Sequence, residues 1–148
     1  PVPSFILCGH SMGCALTGWI TDNLMNPAQL TVWMGAAVPQ YATAAVDPRR
    51  ESSDLIAKIK PDHLFDFSGG LARNGGKILN FFGDDPVLQK PFVWSVHETA
   101  CGAYGAWPGP ERIPNITDVD VTALVKKHGH YRHLVPLWQH VADETRTA

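Results

Sequence analysis

The sequence predicts an α/β protein built on a parallel sheet with flanking helices. Two observations carry that prediction. Short, continuous apolar runs recur, each closed by glycine or turn residues, as strands covered on both faces do. Between the first two runs lies a segment whose apolar residues repeat with the helical period. Together they form a strand–helix–strand unit of about thirty residues. A crossover of this kind is right-handed and leaves its two strands parallel.

The elements follow in order. Residues 4–8, apolar from Phe5 onward, predict a strand buried on both faces. Residues 12–25 read as a helix, with Leu16, Ile20 and Leu24 four apart and Trp19 beside them, the stripe a helix turns to its core. Asn26-Pro27 stops it. Residues 30–34, "LTVWM", form the second strand, ended by Gly35. Residues 51–59 predict a short helix with Leu55, Ile56 and Ile59 on one face, and residues 68–76, "SGGLARNGG", read as a loop. The third strand, "KILNFF" at 77–82, is closed by the turn "GDDP". Residues 89–115, rich in Gly, Pro and aromatics, predict a long surface excursion of the kind that is often functional. "ITDVDV" at 116–121 alternates and predicts a strand near the sheet edge, with Asp118 and Asp120 turned to solvent. Residues 133–146 close the chain as a helix, with Leu134, Leu137, Trp138 and Val141 on one face and Pro136 tolerated in the first turn.

Bulk properties narrow the function. The 148 residues suffice for one domain, taken here as residues 1–148. Hydrophobic residues make up 45% and charged residues 18%, the balance of a soluble globular chain. The net charge of −2, with no long basic run, speaks against a nucleic-acid surface. No apolar run approaches the ~18 residues of a membrane span, and no signal-peptide pattern is present. The chain starts Pro-Val-Pro and enters its first strand at once, so the polypeptide is expected to extend upstream. The three cysteines, Cys8, Cys14 and Cys101, are too few and odd for a disulfide framework. Cys8 and Cys14 read as small core residues, and the set fits a reducing, cytoplasmic compartment.

The chemistry concentrates in Gly9-His10-Ser11-Met12-Gly13, at the junction of the first strand and helix. A serine held in a sharp strand-to-helix turn stands free at the carboxyl end of the sheet, where open α/β folds bind ligands. Strand and helix approach closely two residues before and two after it, so a Cβ at either place is expected to clash. The Met12 amide points to the same spot, at the positive end of the helix, and is the expected oxyanion donor. A serine hydroxyl needs a base to take its proton, and an acid to hold that base. In a chain order of serine, acid, histidine, the acid candidates are Asp84 and Asp85 after the third strand. The histidine candidates are His128 and His130 after the fourth. His10 reads as packing support.

These residues resemble a known superfamily. "GHSMG" with its flanks is similar to the nucleophile elbow of the α/β hydrolases, common in lipases and esterases. "LNFFGDDPVL" followed by "ITDVDVTALVKKHGHYR" resembles a narrower group of uncharacterised lipase-like hydrolases that includes transmembrane and coiled-coil domain proteins. The resemblance covers about residues 4–140 and implies the carboxyl-terminal portion of an α/β-hydrolase fold, acting as a serine esterase. It implies Ser11 as nucleophile, Asp85 as acid and His128 as base, with Tyr131 completing H-x-x-Y. Strands that precede the nucleophile strand in that superfamily have no counterpart here, and they carry the second oxyanion donor. An amino-terminal segment or partner chain is therefore expected to complete the sheet, and the substrate to be a small-molecule or lipid ester. No cofactor and no metal is implied.

Two other readings compete. His128, His130 and His133 are a candidate metal set, since three histidines and a water make a catalytic zinc site. The fold also survives elsewhere as a non-catalytic binding or scaffold domain. Trp94, Tyr104 and Trp107 are candidates either for an acyl-binding lid or for covering the core edge.

Overall fold

Strands β1 (Ile6–His10), β2 (Leu30–Met34), β3 (Lys77–Phe82) and β4 (Ile116–Asp120) pair side by side in that order, every pair parallel. The computed structural model describes residues 4–45, 65–89 and 99–147. Cys8 lies opposite Val32, Val32 opposite Leu79, and Leu79 opposite Thr117, so all four carboxyl ends open on one edge. The chain is of the α/β class, with helices on both faces of an all-parallel sheet.

Alternation along the strands sends side chains to two cores. On one face Trp33 and Ile78 pack with Cys14, Ala15, Phe65, Phe67, Leu71, Cys101 and Ile113. On the other, Val32, Met34, Leu79 and Phe81 pack with Val121, Val125, Tyr131, Leu137 and Val141. β2 is buried at every residue, which is why its sequence is continuous and apolar.

β1 departs from the expected strand buried on both faces. Among the described strands it pairs with β2 alone, so its outer edge is free, Ile6 is 40% exposed and Cys8 is exposed rather than in the core. Helix α1 (Met12–Asp22) ends earlier than the proline suggests, because the Asn23 side chain donates to the Trp19 carbonyl at 2.8 Å, its own amide turns back to Ile20, and the Leu24 amide turns back to Thr21. The expected stripe is also on the wrong side. Leu16 is 52% and Ile20 40% exposed, while Cys14, Ala15, Thr17, Gly18 and Thr21 are buried. Small residues let α1 lie close: a Cβ on Gly18 would stand 2.5 Å from Phe67 Cε2. Thr17 Oγ1 accepts the Trp33 indole N–H at 2.8 Å and donates to the Cys14 carbonyl at 2.6 Å.

Residues 68–76, expected to be a loop, contain helix α2 (Ser68–Asn74). Its glycines lower its intrinsic propensity, but tertiary bonds hold it: Asn74 Nδ2 donates to the Thr21 and Leu24 carbonyls at 3.2 and 3.1 Å. The excursion before β4 includes one helical turn, α3 (Cys101–Tyr104), while the predicted helix at 51–59 and Trp94 lie outside the described residues.

β4 is an edge strand as its alternation predicts, and Asp120 is exposed. Asp118 is a correction. It is half-buried and accepts the Asn80 amide at 2.8 Å and the Ala106 backbone amide at 3.0 Å, with Arg112 at 2.9 Å. It ties the excursion to the sheet rather than facing water. The last helix, α4 (Val135–Thr147), follows a 3-10 turn at Tyr131–His133 and buries Leu137 and Val141; Trp138 stays at the surface, its indole donating to the Arg132 carbonyl at 2.8 Å.

Candidate active site

Ser11 sits between β1 and α1 with φ 55° and ψ −125°, the one positive φ outside glycine among the described residues. A side chain in that region is strained, and such strain persists only where the surroundings enforce it. Here they do: the Ser11 amide donates to the Met34 carbonyl at 3.1 Å, and its carbonyl accepts from Cys14 and Ala37 at 3.1 and 3.2 Å. A Cβ on Gly9 would lie 2.8 Å from the Cys14 backbone, so the glycine before the serine is required. Gly13 corrects the expectation: a Cβ there meets nothing within 4 Å, so no close approach demands a glycine at that position.

The Ser11 hydroxyl lies 2.8 Å from His128 Nε2, and His128 Nδ1 lies 2.5 Å from Asp85 Oδ2. Three segments far apart in the chain thus meet above the strand ends. Asp85 is fully buried, and its other oxygen accepts the Val87 amide at 3.0 Å. The turn that follows, with the Leu88 and Gln89 amides on the Asp85 carbonyl, aims the carboxylate inward. Asp84, one residue earlier, is exposed and takes the Gln89 side-chain amide. His130 is half-buried, and its backbone belongs to the turn that carries on to Tyr131.

Met12 is the first residue of α1, where backbone N–H groups have no intrahelical acceptor. Its amide is therefore free to donate beside Ser11. Tyr131 is wholly buried beneath this edge, with its hydroxyl 3.4 Å from the Gly102 carbonyl. Burial, with the Asp85 charge adding, pushes its phenol well above the usual range, so it stays protonated.

The histidine cluster does not assemble as a metal site. Both His128 nitrogens are engaged by Ser11 and Asp85, and His133 is exposed on the 3-10 turn. Among the described residues no three His, Cys, Asp or Glu side chains are grouped to hold a metal. Of the lid candidates, Trp107 packs against the core and Tyr104 is exposed. Sequence reasoning missed two features. His10 Nε2 lies 2.7 Å from the His128 carbonyl, a contact across 118 positions that no local pattern announces. Asp118 with Asn80 and Arg112 looked like strand alternation, and only the pairing of β3 with β4 brings them together.

The chain matches no protein-family model, no curated protein and no solved structure with which it was compared.

Proposed function

We propose that this chain is a serine hydrolase that cleaves carboxylic esters through a Ser11–His128–Asp85 triad, on the carboxyl-terminal part of an α/β-hydrolase sheet. The observation that carries the reading is the line of contacts, 2.8 Å from hydroxyl to imidazole and 2.5 Å from imidazole to a buried carboxylate. Both distances are within the reach that base catalysis needs.

In this mechanism Ser11 Oγ attacks the ester carbonyl carbon as His128 Nε2 takes its proton. Asp85 keeps the Nδ1–H tautomer and stabilises the imidazolium. The carbonyl oxygen becomes an oxyanion that accepts the Met12 amide, in the positive field at the start of α1. His128 then returns its proton to the departing alcohol, leaving an acyl-Ser11 ester. Water, deprotonated by His128, attacks that ester; the C–Oγ bond breaks as His128 gives the proton to Ser11 Oγ, releasing the acid and restoring free Ser11.

Exposed apolar side chains beside the site support an apolar acyl group: Met12 follows the nucleophile, and Val87 stands two residues after the acid. The edge of β1 left unpaired among the described strands, with Ile6 exposed on it and Leu16 and Ile20 exposed on α1, supports a further polypeptide segment or partner chain lying alongside and supplying a second oxyanion donor.

Labelling with a fluorophosphonate probe, followed by mapping of the modified peptide, tests the proposal. The adduct is expected on Ser11 and absent from Ser11→Ala. Labelling that persists in the alanine variant removes Ser11 from the role. A folded protein that neither labels nor turns over esters would instead be a binding or scaffold domain.

A further inference from the structure

We propose that His10 is a positioning residue that ties the backbone of the base to the strand of the nucleophile; this rests on the triad reading above. His10 ends β1, directly before Ser11. Its Nε2 stands 2.7 Å from the His128 carbonyl oxygen. A carbonyl only accepts, so Nε2 carries the proton and donates. The two rings lie against each other at a tilt, with centroids 4.8 Å apart and planes at 38°, and the Tyr131 ring follows at 6.1 Å from His10.

What gives this bond weight is what surrounds it. His128 lies in the connection between β4 and the 3-10 turn at Tyr131–His133, outside any strand or helix. The neighbouring backbone is held by its own turns: Val125 N–H on the Val121 carbonyl, His130 N–H on Lys127, His133 N–H on His130. Among the described residues, the His128 backbone makes one hydrogen bond, and His10 donates it. Among the described residues its imidazole is hydrogen-bonded to Ser11 and Asp85 alone, the groups with which it exchanges protons or charge.

Because His10 and Ser11 are consecutive on one strand end, the bond fixes the base relative to the nucleophile. It does so whether or not Ser11 is acylated, when the Oγ–Nε2 contact is lost. A displacement of about 1 Å in such a pair costs roughly a hundredfold in rate. His10 touches no reacting atom; it acts through His128.

Two substitutions separate the donor from the ring. His10→Gln keeps an N–H at similar reach and discards the ring, whereas His10→Phe keeps a ring and discards the donor. The readouts are the second-order rate of fluorophosphonate inactivation, hydrogen exchange of the amides at 126–130, and the melting temperature. The expected result is a roughly 10- to 100-fold slower inactivation and faster exchange at 126–130 for His10→Phe, with His10→Gln near wild type in both. If His10→Phe matches wild type, the ring and not the donor is what matters; if both variants fall equally, restoring a donor does not restore the positioning; either result overturns the inference. Should the unaltered protein fail to label, the serine hydrolase reading fails, while the exchange data still decide whether His10 holds the His128 backbone.

Discussion

Replacing Asp85 with asparagine puts the proposed mechanism under the most direct strain. The carboxylate is fully buried between two donors, the Val87 amide at 3.0 Å on one oxygen and His128 Nδ1 at 2.5 Å on the other. An asparagine must choose. With its oxygen toward His128, its NH2 faces the Val87 N–H, donor against donor. With its NH2 toward His128, it donates to Nδ1 and forces the imidazole proton onto Nε2, where it can no longer accept from Ser11. The first orientation keeps the tautomer but sets two donors against each other in a buried site, the second removes the base, and the negative charge that stabilises the imidazolium is gone in both. In Ser-His-Asp hydrolases the carboxylate-to-amide change costs ~10⁴ in turnover, or about 5 kcal/mol of transition-state stabilisation. The assay is hydrolysis of p-nitrophenyl butyrate, with near-ultraviolet circular dichroism to verify folding. Asp84→Asn serves as control, because Asp84 is exposed and its side chain, among the described residues, pairs with Gln89. Its activity is expected within about twofold of wild type, the span of ~0.5 kcal/mol typical of surface sites. A folded Asp85→Asn that keeps more than a tenth of the activity, or a collapse in Asp84→Asn instead, refutes the assignment of the acid.

Further outcomes follow from the same structure. Gly9→Ala is expected to cost ~1–3 kcal/mol in urea unfolding, because its methyl would press on the Cys14 backbone; Gly13→Ala, with open space around it, is expected to be neutral or to stabilise by up to ~1 kcal/mol, and equal costs at the two positions contradict this account of the elbow. Of the three cysteines, Cys8 alone is exposed, while complete burial pushes the Cys14 and Cys101 thiols far up, so titration of native protein with a disulfide reagent at pH 8 should show one accessible thiol and, after unfolding, three. Lys77 pairs with Glu144 at 2.5 Å and, being the largest influence, holds its carboxyl below the ordinary range. A depressed acid adds stability above its unfolded pKa and loses it as pH falls through the folded value. Lys77→Ala should therefore cost ~0.5 kcal/mol at pH 7, and that difference should vanish below the depressed pKa; a cost unchanged at pH 2 would point to packing of the lysine stem instead.

The parts of the fold legible in the sequence are those where one residue's neighbours dictate its environment. β2 and β3 are sandwiched between helices, so their apolar runs are nearly unbroken and end at glycine. α1 shows the limit of that logic. Large apolar residues at helical spacing point to the buried side only when the interface has room for them, and here Gly18 lies against Phe67 and leaves none. The helix therefore buries Cys14, Ala15 and Gly18, and Leu16 and Ile20 remain exposed. α2 was hidden for a related reason, since its glycines mask a helix that Asn74 pins to the end of α1.

The site divides in the same way. Ser11 was legible because its strained turn is a local demand, met by Gly9 and by the strand and helix on either side. Asp85 and Asp84 are chemically identical neighbours, as are His128 and His130 at one remove, and no local rule separates them. What separates them is the direction in which a turn sends each side chain: the Leu88 and Gln89 amides fold back on the Asp85 carbonyl and leave Asp84 outside. The His10 bond depends on β4 lying two strands away from β2 and three from β1, with the connection after β4 crossing back over the sheet edge to meet Ser11. Sheet order, more than residue identity, is what brings an imidazole within 2.8 Å of the serine in a common Gly-x-Ser-x-Gly turn. The same order brings the His128 backbone, in a connection with no regular structure, within hydrogen-bonding distance of the His10 side chain on β1, and under the proposed mechanism that places the anchor of the base directly beside the nucleophile.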